Sequence, residues 1–179
     1  MRCHIIALLL FPLCVHSADL VVNFDATILE PTCNVYIADN AGGSGAGNSA
    51  EIKFNDVQLD QIINHDSNAY RTFSLVMSDC SPGIGKLKTT IYSTPAPFSP
   101  QVIGNSSAGG AQDVGVEIAR EQTPNAPFTL NSSADDQSLV WSSDEVDAKK
   151  VALRATLVAG QAPTMGGYLG TATFETTYE

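Results

Sequence analysis

Apolar and polar residues alternate along much of this chain. Leu20, Val22, Phe24, Ala26 and Ile28 alternate with Val21, Asn23, Asp25, Thr27 and Leu29, which is mostly the period-two spacing of a strand with one buried face. The clearest case lies at the other end, where Gly170, Ala172, Phe174, Thr176 and Tyr178 share a face opposite Thr171, Thr173, Glu175, Thr177 and Glu179. Between them, residues 33–37, 52–54, 88–92 and 114–118 read as short strands. In residues 73–80 Phe73, Leu75 and Met77 share a face, and in 151–157 Val151, Leu153, Ala155 and Leu157 do so. Residues 41–50 and 94–110, rich in Gly, Ser, Ala and Pro, read as exposed connections. No long stretch repeats at 3.6 residues, and only 56–63 is spaced for a helical turn. Short strands separated by turn residues predict a single all-β domain built as a two-sheet sandwich.

The first residues follow a different rule. Arg2 and His4 precede an apolar run from Ile5 to Val15, and small residues, Ser17 and Ala18, follow it. That pattern predicts a secretory signal peptide over 1–17. The run is too short to span a bilayer core of about 30 Å comfortably as a helix. Cleavage there removes Cys3 and Cys14 and leaves Cys33 and Cys80. An even pair in an exported chain reads as one disulfide.

Charge and side-chain inventory then narrow the function classes. Nineteen acidic residues face nine basic ones, for a formal net charge of −10, a poor surface for nucleic acid or anionic lipid. Only His65 remains of the three histidines once the leader is gone. His65, Asp66 and Ser67 are adjacent in sequence and cannot form a catalytic triad among themselves. One histidine and a bridged cysteine pair supply no zinc set. The Gly-rich segment 42–49 has Asn48 where a phosphate loop needs lysine. Asp144, Glu145 and Asp147 lack the spacing of a calcium loop and read as a solvated acidic face. Neither an enzyme nor a cofactor is expected. Asn105-Ser106-Ser107 and Asn131-Ser132-Ser133 are glycosylation sequons, which matter only in a eukaryotic source.

Four elements in fixed order carry a family resemblance: Val22-Asn23-Phe24-Asp25-Ala26 ahead of Cys33, residues 73–80 ending in the second cysteine, Val114-Gly115-Val116-Glu117-Ile118, and Gly170-Thr171-Ala172-Thr173-Phe174 running to Tyr178. Together they make the chain resemble the pilins of chaperone–usher fimbriae of Gram-negative bacteria, over nearly all of its length beyond the leader. The resemblance implies an incomplete immunoglobulin-like sandwich that lacks its final strand (31–179), with an N-terminal donor-strand extension (18–30). It implies as partners a periplasmic immunoglobulin-like chaperone, an outer-membrane usher and neighbouring subunits, with export through the periplasm to a surface fimbrium serving cell adhesion. Donor-strand complementation is an established form of strand addition. Under it Leu20, Val22, Phe24, Ala26 and Ile28 would fill a neighbour's groove. Burying the four large ones is worth of order 6–10 kcal/mol at about 1.5–3 each, before ordering costs. Gly170, Ala172, Phe174, Thr176, Tyr178 and Glu179 would form the strand bordering that groove, with the terminal carboxylate captured by basic side chains of the chaperone.

Two departures from the family pattern point to a minor or adaptor subunit. Ala26 stands where the family usually has glycine, and only Ala18 to Val21 precede the Val22-Asn23-Phe24 motif. A competing reading is a self-contained secreted sandwich that binds carbohydrate or a host protein through Trp141 and Tyr92. The residues beside Trp141, Leu139 and Val140, instead favour a place in the core or at a groove edge.

Overall fold

The computed structural model describes residues 33–39, 46–47, 49–81 and 84–178. The expected leader, the expected donor strand with Leu20, Val22, Phe24, Ala26 and Ile28, and the terminal Glu179 lie outside these residues. Among the described residues the strands are β1 (Asn34–Asp39), β2 (Ala46–Gly47), β3 (Tyr70–Ser78), β4 (Leu87–Tyr92), β5 (Pro95–Ala96), β6 (Ser99–Ile103), β7 (Val114–Arg120), β8 (Leu139–Val140), β9 (Lys150–Ala159) and β10 (Thr173–Tyr178). They form a large sheet in the order β2-β1-β3-β9-β7-β6-β5 and a small one in the order β10-β4-β8. The pairs are antiparallel.

The alternation read from the sequence sets which faces meet. Opposed pairs Phe73–Leu153 and Leu75–Val151 across β3 and β9, and Val116–Leu157 and Ile118–Ala155 across β7 and β9, point to the same side. All eight are buried. Leu87, Ile91 and Leu139 of the small sheet are buried as well and join the same core. Each such side chain contributes about 1.5–3 kcal/mol by leaving water, and the entropy of ordering the chain offsets most of the sum. The disulfide joins Cys33 to Cys80. It clamps β1 to β3 just beyond the Asn34–Ser78 pair.

Two expectations need correction here. Residues 52–54 are not a strand. Ile52 and Phe54 do pack against the core, but a side chain holds the segment in place of a ladder. Arg71 Nε donates to the Lys53 carbonyl at 3.1 Å, and its guanidinium lies 5.5 Å from the centre of the Phe54 ring.

Residues 94–110 are not simply an exposed connection, because β5 and β6 pair within them and Ala96, Val102 and Ile103 are buried. Gly115 of β7 makes that packing possible. A β-carbon there would collide with the Val102 side chain and the Ile103 carbonyl oxygen. The acidic run near 144 forms a short helix, α2 (Ser143–Asp147), with Asp144 and Asp147 exposed as expected and Glu145 half-buried, and the helical turn expected in 56–63 is present as α1 (Leu59–Ile63).

Candidate functional site: a groove beside the last strand

β10 joins the small sheet along one edge only among the described residues, through β4. Its faces follow the predicted alternation: Thr173, Glu175 and Thr177 are exposed, and Phe174, Thr176 and Tyr178 turn inward but stay half-buried. Each inward residue has a defined contact. Phe174 meets Phe73 edge to face, with centroids 6.0 Å apart and an interplanar angle of 75°. The Thr176 and Thr89 hydroxyls are 2.8 Å apart. Tyr178 donates its hydroxyl to the Cys33 carbonyl at 2.8 Å.

Gly170 and Ala172, expected in this strand, lie just ahead of it. Backbone groups there are already used elsewhere: Ser93 Oγ donates to the Thr171 carbonyl at 2.7 Å, and Ser106 N to the Leu169 carbonyl at 2.8 Å. Gly170 also has a packing reason, since a β-carbon would collide with the Tyr168 hydroxyl.

Beside β10 lies a groove of about 1190 Å³. Its floor is apolar: Phe73 from β3, Val116 and Ile118 from β7, and Ala155 and Leu157 from β9, with Phe174 on one flank. Segments 50–60 and 164–172, neither of them a strand, supply the remaining walls. The volume exceeds the roughly 300–1,000 Å³ of ordinary small-molecule pockets. Glu51, Lys53, Asp56 and Asp60 are exposed, and among the described residues no cysteine or histidine lines the groove. The apolar floor suits an apolar, extended occupant.

A family model described as fimbrial protein matches residues 22–179. The chain belongs to the fimbrial protein family. It is 30% identical over 173 residues to the uncharacterized fimbrial-like protein YadM of Escherichia coli strain K12, covering 92% of this chain and 89% of that one. Its fold is similar to the P pilus rod subunit PapA, with a TM-score of 0.56 at 15% identity over 88% of this chain and 99% of that one. The two-sheet immunoglobulin-like sandwich expected from the sequence thus has a structural counterpart in a pilus subunit, and the fimbrial chain is a structural subunit of a surface fimbrium.

Other residues of the fimbrial subunit take places the sequence only partly foretold. Trp141 is 4% exposed and donates Nε1 to Thr89 Oγ1 at 3.0 Å, so it is no surface contact for a sugar, and the self-contained lectin-like reading loses its main residue. Tyr92 is exposed at the end of β4, opposite Thr173. Glu145 belongs to a capping box with Ser142 and forms an ion pair with Arg120, Nε to Oε1 at 2.9 Å. The Ser142-to-Glu145 spacing is the signal by which the sequence could have revealed that helix. The two groove walls had no periodic signature.

Proposed function

We propose that this subunit polymerises by donor-strand exchange and catalyses no reaction. In this reading a periplasmic immunoglobulin-like chaperone first lends a strand to the groove, and the outer-membrane usher then exchanges it for residues 18–30 of the next subunit. The observation that carries it is the last strand: β10 has one ladder partner among the described residues, and its inward side chains stand half-buried over an apolar groove. An added strand would satisfy the backbone groups of that edge and cover those side chains. Leu20, Val22, Phe24, Ala26 and Ile28 have the two-residue spacing such an occupant needs.

A strand given forward and a groove offered backward make a head-to-tail contact, which yields a fibre and not a closed ring. The short extension and Ala26 place the subunit among minor or adaptor components in this reading. The test is a form lacking residues 18–28. It should bind the chaperone as the full mature chain does but fail to cap a preceding subunit. Polymerisation of the shortened form at the normal rate would remove residues 18–30 from the mechanism.

A further inference from the structure

The groove wall at 164–172 is held by bonds from several residues, among them Ser93, Ser106, Ala111 and Gln112, and two more come from one side-chain amide. Asn105 Nδ2 donates to the carbonyls of Ala111 and Gly167, both at 2.8 Å. Asn105 Oδ1 accepts from the backbone N–H of Ser107 at 2.9 Å and of Leu169 at 3.0 Å. A primary amide has two donor hydrogens and two acceptor lone pairs, so the full capacity of Asn105 is used. One donor bond and one acceptor bond reach the wall; the other two fix the loop beside it.

Backbone bonds run alongside, Ala111 N to the Gly167 carbonyl at 3.0 Å and Ser106 N to the Leu169 carbonyl at 2.8 Å. This close approach needs glycine. A β-carbon on Gly110 would collide with the Gly167 carbonyl oxygen and lie 2.8 Å from Asn105 Nδ2. Met165 and Leu169, on the wall so fixed, are 89% and 60% exposed.

We infer that Asn105 is a positioning residue for strand uptake. It fixes the 164–172 wall in advance, so that an incoming strand meets Met165 and Leu169 without first having to order that segment. The inference rests on the strand-accepting reading above. Preorganisation of this kind raises affinity by removing an ordering cost. It also gives the sequon at Asn105 a different meaning, since its amide nitrogen is committed to two carbonyls and serves the groove.

The mature chain is purified with its chaperone, loaded with a fluorescent peptide of residues 18–30, and chased with unlabelled peptide. Asn105→Ala should release the labelled peptide about tenfold faster than the unmodified chain, the scale expected for losing one or two net hydrogen bonds. Glu145→Ala, which breaks the Arg120 pair away from the groove, should lower stability without changing release. Gly110→Ala, which pushes the same wall, should behave as Asn105→Ala does.

Asn105→Asp keeps both acceptor contacts but sets a carboxylate against two carbonyls. It should release fast at pH 7 and slow again below about pH 4, where the carboxyl is protonated. This variant decides the matter if Asn105→Ala does not accumulate. Wild-type release from Asn105→Ala, or no pH recovery in Asn105→Asp, overturns the role of Asn105. Failure of the unmodified chain to load at all overturns the strand-accepting reading and this inference with it.

Discussion

Thr89 is a polar residue with no exposed surface, and its hydroxyl is shared between Trp141 Nε1 and the Thr176 hydroxyl. Buried polar groups persist where they are bonded, and here the bonds join two strands of the small sheet, β4 and β10, to Trp141, the residue that follows β8. Tyr178 does the same work between the sheets through the Cys33 carbonyl. Tyr178→Phe keeps the ring and loses that bond. It should cost about 1 kcal/mol, read as a lower denaturant midpoint with unchanged slope in equilibrium unfolding of the mature chain. The alternation of 170–178 made the inward position of Tyr178 legible. Its partner was not, because a contact across 145 residues leaves no local pattern. Trp141 was legible as a core residue from Leu139 and Val140, but its bond to Thr89 was hidden for the same reason.

Among the elements, α2 is fastened to the end of β7 by Arg120, which bonds both Glu145 oxygens at 2.9 and 3.0 Å and also the Val140 carbonyl. Burial opposes the charge on Glu145, yet the hydrogen bonds from Arg120 and from the Ser142 N–H outweigh it and hold its pKa below the ordinary glutamate range. A depressed carboxyl pKa contributes stability above the unfolded value, and that stability is lost as pH falls through the folded value. Glu145→Gln should therefore lower stability at pH 7, and the difference should shrink below about pH 4.

Glu117, on the opposite face of β7, behaves in the reverse sense. Burial raises its pKa, and His65 and Arg154 offset this only in part. Glu117→Gln should then raise stability at pH 7 and bring no gain near pH 3, both followed by denaturant unfolding across pH. Long strands such as β9 were plain in the sequence because four apolar residues recur at every second position. β5 and β6 were not, because Pro95, Pro97 and Pro100 read as breakers, whereas Pro95 sits in the edge strand β5, where proline is tolerated, and Pro100 lies near the start of β6, outside its registered pairs. Residues 52–54 show the converse error: strand-like alternation arose from packing under Arg71 without any ladder.

At the scale of the whole molecule, one covalent link and one open face dominate. The bridge spans 47 residues, and chain entropy credits such a loop with at most about 4 kcal/mol. Replacing both Cys33 and Cys80 by serine should lower the denaturant midpoint by a corresponding amount, and an unchanged midpoint would refute a stabilising role. The sandwich class and the strand bordering the groove followed from periodicity, since one face of each strand must leave water. The groove walls at 50–60 and 164–172 did not, because irregular segments are placed by tertiary bonds such as those of Asn105.

The tie between Tyr178 and Cys33 also has a bearing on timing. Synthesis runs from the first residue to the last, so Cys33 is made early while β10 comes after every other described strand. The hydroxyl that fastens β10 to Cys33, just ahead of β1, therefore becomes available only after every other described strand has been made. Until β10 has emerged, the body of the subunit lacks this fastening, and products that stop short of β10 never acquire it.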